Sequence, residues 1–299
     1  MVGDGSTPSA GGGRRRLGRT GAAVYPIGLG AMPLSLEGRP PPEQACEVIR
    51  AFVEGGGTLI DTANAYCIDN SEMGHNERLI RDCVRRLGVR DRILIATKGG
   101  LTRPQGRWET DGRPAWIRAS CEKSLQDLGV ACIDLYQLHA VDPKVPFTET
   151  LGEMIRLREE GKIRWIGLSN VDAVQLQTAL RQVEIASVQN RCHVMAARDL
   201  ANGLVDLCGR LGVAYIAHSP VGGHHGHVEL ARRPLMQELA ARHGCTPYAI
   251  ALAWLLAQGD HVIPIPGASR VQSIRDSLAA TRIRLDAGEL ARLDAMARG

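Results

Sequence analysis

Four side chains suited to proton transfer lie at or just beyond the ends of short apolar runs: Asp61, Tyr66, Lys98 and His139. A tyrosine hydroxyl has an ordinary pKa of about 10 and is a poor proton donor near neutrality. A neighbouring ammonium group lowers that pKa by stabilising the phenolate, and a carboxylate keeps the ammonium charged and in place. A histidine can donate a hydrogen bond to a carbonyl oxygen. Together these groups would protonate an oxygen while hydride arrives at the adjoining carbon, which is carbonyl reduction or its reverse.

The elements that must bring these residues together are short strands alternating with helices. From about Tyr25, β-branched runs alternate with segments whose apolar residues repeat with helical periodicity. The predicted strands span residues 26–28, 59–61, 93–97, 133–138, 163–168, 187–189, 214–217 and 262–264. The predicted helices span residues 42–53, 76–87, 117–128, 148–160, 173–182, 199–211, 234–242, 247–256, 271–280 and 286–296.

This alternation predicts a (β/α)8 TIM barrel, because short apolar strands joined by helices pair in parallel. Barrels carry their active sites at the carboxyl ends of the strands, where the four residues fall. The alternative is an open, doubly wound sheet, which would usually show G-x-G-x-x-G after its first strand. Here Gly28-Leu29-Gly30 is followed by Ala31-Met32-Pro33, so this fingerprint is missing. We expect a flexible N-terminal leader over residues 1–15 and a single barrel domain over residues 16–299.

Composition excludes several classes of protein. The chain has 299 residues and a formal net charge of +4, which is too small to indicate a nucleic-acid-binding protein. No apolar stretch approaches the ~20 residues of a membrane span, and the N-terminus lacks the pattern of a secretory signal. The eight cysteines are scattered, without a C-x-x-C pair. We therefore expect reduced, mostly buried thiols in a cytoplasmic protein that binds neither nucleic acid nor membrane.

The sequence resembles the aldo-keto reductase superfamily, in its bacterial, NADP(H)-dependent form. The resemblance runs from about Arg16 to the C-terminus and is specific as a set of motifs. These motifs are LGRTG at 17–21, GTLIDTA at 57–63 with Tyr66, TK at 97–98, IDLYQLH at 133–139, EGKIR at 160–164, IGLSN at 166–170 and IPGAS at 265–269. The family resemblance implies the barrel fold, Tyr66 as general acid, Lys98 and Asp61 as the groups that tune it, and His139 as the donor that orients the carbonyl.

The resemblance also implies the cofactor NADP(H) and the residues that would hold it. The nicotinamide carboxamide would be bound by Ser169, Asn170 and Gln189, and the pyrophosphate by Ser219 with the backbone of Val221 and Gly223. Gly267, Ser269 and Arg270 lie where the family meets the adenosine 2′-phosphate. An arginine beside a helix N-terminus is a suitable phosphate site on physical grounds as well.

The sequence departs from the family pattern at four cofactor positions. His218 stands where relatives usually stack an aromatic ring on the nicotinamide, and an imidazole offers less area and can titrate near neutrality. Ser273, Asp276 and Ser277 occupy the adenine positions, where the family carries longer side chains. We expect adenosine to be held less firmly here, which leaves Arg270 as the main support for NADP over NAD.

Two loops are expected to shape the substrate pocket. The loop after the first strand supplies Met32 and Leu34, and the long loop after the third strand supplies Trp108 as an aromatic wall. A separate group of histidines after the seventh strand comprises His218, His224, His225 and His227. Without a carboxylate or cysteine beside them these are weak metal ligands, so we expect no metal site and interpret this segment as a loop that covers the cofactor or gates the substrate.

The sequence thus predicts an NADPH-dependent reductase of a small-molecule aldehyde or ketone, with specialised metabolism as one setting. Two alternatives stay open at this point. One is reduction of a C=N or C=C bond on the same scaffold, and the other is a non-catalytic, NADP-sensing regulatory subunit. We expect a monomer or a weak homo-oligomer.

Overall fold

Eight parallel strands form the centre of the molecule, and the chain winds around them through helices. The computed structural model describes residues 13–298. Its strands are β1 (Arg15–Arg16), β2 (Ala23–Val24), β3 (Leu29–Gly30), β4 (Leu59–Asp61), β5 (Leu94–Gly99), β6 (Leu101–Thr102), β7 (Glu109–Thr110), β8 (Ile133–Leu138), β9 (Ile163–Ser169), β10 (Ser187–Arg191), β11 (Ala214–His218) and β12 (Val262–Ile265). Its α-helices are α1 (Pro42–Glu54), α2 (His75–Leu87), α3 (Pro114–Leu128), α4 (Phe147–Glu159), α5 (Ala173–Leu180), α6 (Arg198–Ala201), α7 (Leu204–Leu211), α8 (Gly223–Arg232), α9 (Pro234–His243), α10 (Pro247–Ala257), α11 (Val271–Ala279) and α12 (Ala287–Arg298).

The parallel sheet closes on itself, which confirms the predicted (β/α)8 barrel. Its strand order is β12-β11-β10-β9-β8-β5-β4-β3. Across the remaining seam the Gly28 and Gly30 amides donate to the carbonyls of Pro264 and Pro266, each at 3.0 Å. A Cβ at Gly30 would lie 2.7 Å from the Ile265 carbonyl oxygen, so the close approach of the first and last strands requires glycine there.

The interior of the barrel changes from apolar to polar along the strand direction. Successive side chains of a strand point to opposite faces, so alternate residues line the interior. The lower interior is a separate apolar cluster that includes Leu59, Ala96, Leu135 and Ile263. Two residues further along their strands, Asp61 and Lys98 are both buried. The packed apolar layer thus forms a floor beneath a polar layer at the carboxyl ends.

A hairpin of β1 and β2 covers the opposite, amino-terminal end of the barrel. Leu17 and Val24 are buried in the interior apolar cluster. The Arg15 guanidinium donates to the carbonyls of Leu256 at 2.7 Å and Gly259 at 2.8 Å, and also to that of Val262. Burial lowers the pKa of Arg15 to about 10. Arg15, which we expected in the leader, thus lies in a strand of this hairpin; residues 1–12 of that predicted leader lie outside the described residues.

Several predicted element boundaries were wrong for local reasons. The first barrel strand is Leu29–Gly30, not 26–28. The predicted helix 199–211 is two helices, because Gly203 adopts a φ of +78° between α6 and α7. The segment expected to be a histidine-rich loop contains helix α8.

The expectation that every cysteine is reduced was wrong for Cys46 and Cys83, which form a disulfide between α1 and α2. The two residues are 37 positions apart in the sequence and both buried. Their proximity depends on two helices packing side by side outside the barrel, which cysteine spacing does not reveal. The other six cysteines are free thiols. In the described range 13–298, no helix is long and apolar enough to cross a membrane.

Candidate active site

Lys98 is the centre of the polar layer and joins the predicted acid and the predicted tyrosine. Its Nζ donates to Asp61 Oδ2 at 2.5 Å, to Tyr66 Oη at 2.9 Å and to the Thr62 carbonyl at 2.9 Å. Lys98 and Asp61 are 0% and 2% exposed, so neither charge is solvated. A buried charge is tolerated when it is paired and hydrogen-bonded, as all three ammonium donors are here. The structure therefore brings together three of the four residues singled out in the sequence by direct contacts.

The pKa of Tyr66 is raised above its ordinary value, contrary to the lowering expected from Lys98 alone. Burial is the largest cause, and it outweighs the attraction of the Lys98 charge. Burial also opposes the charge on Lys98, but Asp61 and Tyr66 raise the pKa of the ammonium overall. At neutral pH the site therefore holds a protonated phenol beside a charged ammonium, which is the state a proton donor needs.

His139 lies beside Tyr66 and is neutral. The two rings are 5.7 Å apart between centroids and nearly perpendicular. Burial, together with the positive charge of Lys98, holds the pKa of His139 well below its ordinary value. Its Nδ1 is buried and has no hydrogen-bond partner among residues 13–298. A neutral imidazole retains one N–H, so this ring can donate to a substrate oxygen without adding charge.

Two glutamines that complete the polar layer hold the other oxygen of Asp61. Gln189 Nε2 donates to Asp61 Oδ1 at 2.7 Å, and Gln137 Nε2 donates to the same oxygen at 3.2 Å. Gln189 was expected to bind the nicotinamide; its Nε2 is committed to the carboxylate in this structure, and the nicotinamide contact stays a prediction. Gln137 was not singled out in the sequence. The sequence could have indicated Gln137, because it lies two residues before His139 and residues two apart on a strand share a face.

The strand ends beside His139 carry the other residues assigned to the nicotinamide. Asn170 Nδ2 donates to the His139 carbonyl at 2.9 Å and to Ser169 Oγ at 3.1 Å. Asn170 Oδ1 lies 3.4 Å from His218 Nε2, and His218 Nδ1 lies 3.1 Å from Ser219 Oγ. These contacts form one continuous edge around the mouth of the barrel.

Two of these residues have strained backbones. Asn170 and Ser219 adopt φ values of +57° and +52°, a region that residues other than glycine rarely occupy. Such conformations persist where the surroundings enforce them, commonly at binding sites. The pKa of His218 is lowered to about 4, first by burial and then by nearby positive charges including Lys98. The expectation that His218 titrates near neutrality was therefore wrong.

Helix α8 provides backbone donors next to this edge. It begins at Gly223, and Val221 and Gly222 connect it to Ser219. Gly222 has a φ of +95°, and a Cβ there would lie 2.6 Å from the Gly226 backbone, so the turn requires glycine. The first-turn amides of a helix have no partner within the helix and favour anions. The backbone of Val221 and Gly223 thus lies at a helix start that could accept an anion, and its contact with pyrophosphate stays a prediction.

The predicted 2′-phosphate residues lie at the start of α11. Arg270 is the exposed residue immediately before this helix and forms no ion pair with any described residue. Gly267 pairs with Gly30 at the barrel seam and is exposed. Ser269 is half-buried, and its carbonyl accepts a hydrogen bond from Gln44 Nε2 at 2.7 Å. An unpaired guanidinium beside a helix N-terminus leaves charge and donors available for an anion.

The three adenine positions do not act as a group. Asp276 accepts a 2.5 Å hydrogen bond from Thr246 Oγ1 at the start of α10. Ser277 is 6% exposed, and its hydroxyl donates to the Ser273 carbonyl at 2.9 Å. Only Ser273, half-buried in the first turn of α11, is left uncommitted near Arg270. Asp276 and Ser277 thus already form hydrogen bonds within the protein, and their assignment to adenosine stays a prediction.

The three predicted substrate residues differ in how far the structure exposes them. Leu34 is fully buried in the outer core, because a single 3-10 turn over Met32–Leu34 rotates its side chain inward. It therefore cannot contact a substrate, whereas Met32 is half-buried. Trp108 is 44% exposed and lies 6.3 Å from the Tyr66 ring and 6.2 Å from the His139 ring. The indole is thus an exposed aromatic surface at the catalytic group.

The structure offers no support for a metal centre in the range it describes. No group of three or more His, Cys, Asp or Glu side chains among the described residues could hold an ion. His227 Nδ1 lies 3.0 Å from the Gly223 carbonyl within α8, and His218 belongs to the edge above. The side chains of His224 and His225 lie outside the described part of the molecule.

A closed (β/α)8 barrel with the buried Asp61–Lys98–Tyr66 group at the carboxyl ends of its strands has the architecture of a barrel enzyme. The chain belongs to the aldo/keto reductase family, whose sequence profile matches residues 26–298.

Three solved structures share this fold closely. The thermostable aldo-keto reductase Tm1743, solved in complex with the inhibitor epalrestat, is 31% identical with a TM-score of 0.80, and the match covers 95% of this chain and 99% of that one. An aldo-keto reductase from Klebsiella pneumoniae in complex with NADPH is 27% identical, with a TM-score of 0.79 and 95% coverage of both chains. The holo form of AKR11C1 from Bacillus halodurans is 26% identical, with a TM-score of 0.79 and coverage of 95% and 96%.

Proposed function

We propose that this protein is an NADPH-dependent reductase that converts an aldehyde or ketone to an alcohol, with Tyr66 as general acid. The observation that carries the proposal is the contact of Lys98 Nζ with both Asp61 and Tyr66 Oη in a buried site. His139 adds a neutral donor beside the same hydroxyl. Both Tyr66 and His139 address an oxygen atom, which favours a carbonyl over a C=N or C=C substrate.

The cofactor proposal is supported by the fit of the residues at the barrel mouth. The candidate cofactor contacts all follow barrel strands. They are the strained Asn170 and Ser219, the start of α8, and the unpaired Arg270 at the start of α11. Two aldo-keto reductase structures from Klebsiella pneumoniae contain NADPH or NADP. Bound NADPH would supply a hydride to the carbonyl carbon. We assign Ser169 and Asn170 to the nicotinamide end, Ser219 with the backbone of Val221 and Gly223 to the pyrophosphate, and Gly267, Ser269 and Arg270 to the 2′-phosphate.

The catalytic residues divide the work of proton transfer. The Tyr66 phenol donates its proton to the substrate oxygen as negative charge develops there. The Lys98 ammonium then stabilises the phenolate, and Asp61 keeps that ammonium in place. His139 donates a hydrogen bond that orients the same oxygen and stabilises its charge. Trp108 covers the group from one side.

A panel of carbonyl compounds tests the proposal. NADPH absorbance is followed with 4-nitrobenzaldehyde, pyridoxal and a simple diketone, and separately with an imine and an enone. We expect turnover with carbonyls and none with the other two classes. Unchanged absorbance with every carbonyl would contradict the reductase, and turnover of the enone or imine alone would assign the scaffold to the other bond type.

Substitution of Tyr66 by phenylalanine tests its role as general acid. We expect Tyr66→Phe to lower kcat about 100- to 10,000-fold, because only proton donation is lost. The NADPH dissociation constant, measured by fluorescence titration, should stay within about twofold. Tyr25→Phe is the matched control, since the Tyr25 hydroxyl contacts Thr281 Oγ1 far from the site. Near-normal turnover by Tyr66→Phe would remove Tyr66 from the mechanism.

A further inference from the structure

One arginine connects the two loops that surround the catalytic tyrosine. β6 and β7 form a hairpin after β5, and its tip runs from Arg103 to Trp108. The Arg103 amide donates to Asn70 Oδ1 at 2.6 Å, and the Asn70 amide donates to the Arg103 carbonyl at 3.0 Å. Asn70 belongs to the loop that follows β4 and carries Tyr66. The backbone of Arg103 therefore joins one loop to the other.

The side chain of Arg103 repeats this connection. Its Nε donates to the Cys67 carbonyl and its Nη2 to the Ile68 carbonyl, each at 3.2 Å. Both carbonyls come directly after Tyr66 in the sequence. The guanidinium has no carboxylate within ion-pair distance among the described residues, and Arg103 is 7% exposed. Two backbone carbonyls and a covering ring hold the nearly buried guanidinium, while its buried Nη1 has no hydrogen-bond partner among the described residues.

That covering ring is Trp108. The Arg103 Cζ atom lies 3.8 Å from the centroid of the indole, a close cation–π stack. Trp108 in turn presents its ring to both Tyr66 and His139. An exposed indole on a loop would ordinarily sample several rotamers. Here the stack and the two carbonyl contacts hold it at one angle to the catalytic pair.

We propose that Arg103 is a positioning residue that fixes Trp108 as a rigid wall of the substrate pocket, and that this wall selects planar aromatic aldehydes over small aliphatic ones. The inference rests on the proposed reductase function. A fixed indole offers a flat surface on which an aromatic ring can pack while its carbonyl reaches Tyr66. A small aliphatic aldehyde has no ring to place there and gains little from the wall.

The kinetic test compares Arg103→Met with the matched control Arg107→Met. Arg107 lies in the same hairpin, is exposed and, within residues 13–298, pairs only with Glu109. For Arg103→Met we expect KM for benzaldehyde to rise about tenfold with kcat changed less than about twofold, since a lost stack and loosened wall weaken binding rather than proton transfer. KM for propanal should change far less. Equal loss for both aldehydes, or no loss for benzaldehyde, would overturn the proposal.

A double variant separates positioning from general loosening of the fold. Trp108→Ala alone should lower the benzaldehyde-to-propanal ratio of kcat/KM, and Arg103→Met added to it should lower that ratio no further, because Arg103 acts through the indole. Additive losses would show that Arg103 acts elsewhere. Should Arg103→Met fail to fold, Arg103→Lys keeps the charge without the planar stack and is expected to show the same selectivity loss in weaker form.

A spectroscopic measurement tests the positioning without turnover. The near-UV circular dichroism of the wild type minus that of Trp108→Phe gives the signal of an immobilised Trp108. Arg103→Met should lose this signal, and Arg107→Met should keep it. If the wild type reduces neither aldehydes nor ketones, the proposed function fails; if Arg103→Met retains the Trp108 signal, the positioning role fails whatever the activity.

Discussion

At the scale of single residues, burial decides the protonation states in and around the site. Tyr66 stays protonated and His139 stays neutral because each is removed from water. Lys98 stays charged because its partners outweigh the same effect. The four residues thus combine one buried charge pair with two neutral donors, an arrangement suited to the proposed protonation of an oxygen.

Glu77 is a buried acid that the proposed mechanism does not use. It lies on α2 with no exposed surface and accepts a 2.5 Å hydrogen bond from Thr97 Oγ1, the residue before Lys98. Thr97 and Lys98 point to opposite faces of β5, so Glu77 is behind the strand and outside the barrel interior. Burial raises the pKa of Glu77 to about 7.

This raised pKa predicts a pH-dependent stability. Folded Glu77 binds its proton more tightly than unfolded Glu77, so its stabilising contribution is complete below about pH 4.5 and is lost as the pH rises through about 7. We expect the free energy of unfolding to fall by about 3 kcal/mol across this window, and Glu77→Gln to remove that part of the pH dependence. Urea denaturation at several pH values measures it. Glu47→Gln, at an exposed glutamate of α1, should leave the slope unchanged; an identical slope in Glu77→Gln would contradict the assignment.

At the scale of elements, the cofactor proposal rests on the loops that follow β9 and β11 and on the first turns of α8 and α11. The strained residues Asn170 and Ser219 directly follow β9 and β11. α8 and α11 each begin directly after a barrel strand and its short loop. Loops anchored between a barrel strand and a packed helix can hold such strained conformations, because the surrounding structure enforces them.

The start of α11 predicts a preference for NADPH. Arg270→Ala should weaken NADPH binding about 10- to 100-fold, since charge-assisted hydrogen bonds to the 2′-phosphate contribute about 1.5–3 kcal/mol. NADH binding should change by less than about threefold, because NADH lacks that phosphate. Fluorescence titration with each cofactor measures both constants. Arg275→Ala, at an exposed arginine further along the same helix, is the control; equal weakening of NADPH and NADH would argue against the 2′-phosphate role.

At the scale of the whole molecule, the barrel is closed by glycine contacts and its outer helices are joined by a disulfide. Gly30 permits the first and last strands to meet. The Cys46–Cys83 bond joins α1 to α2 across a 37-residue separation. Arg15 attaches the N-terminal hairpin to three carbonyls at the other end of the barrel. These connections lie away from the catalytic group and support the scaffold that positions it.

The disulfide predicts a stability that depends on redox conditions. A bond closing a loop of this length contributes about 4 kcal/mol, so we expect dithiothreitol to lower the free energy of unfolding by roughly that amount. A Cys46→Ala/Cys83→Ala variant should be insensitive to the reductant, and Cys245→Ala, which removes a free thiol, should respond like the wild type. Peptide mapping without reductant should recover the Cys46–Cys83 pair. Unpaired thiols at these positions would contradict the bond.

The sequence by itself determined the barrel and predicted which four side chains meet at the candidate site. Strand and helix periodicities follow from local geometry, and barrel strands present their functional residues at one end. Asp61, Tyr66, Lys98 and His139 could therefore be placed together before any coordinates were known. The same reasoning could have found Gln137, which shares the interior face with His139.

Only the tertiary structure decided which way several other side chains point. Leu34 turns into the core on one 3-10 turn, Ser277 bonds to its own helix, and Gln189 bonds to Asp61. The raised pKa of Tyr66 and the Cys46–Cys83 bond also depend on packing between distant segments. Local patterns fix where a residue lies along an element. Its partners, its exposure to water and its protonation depend on what the rest of the chain packs against it.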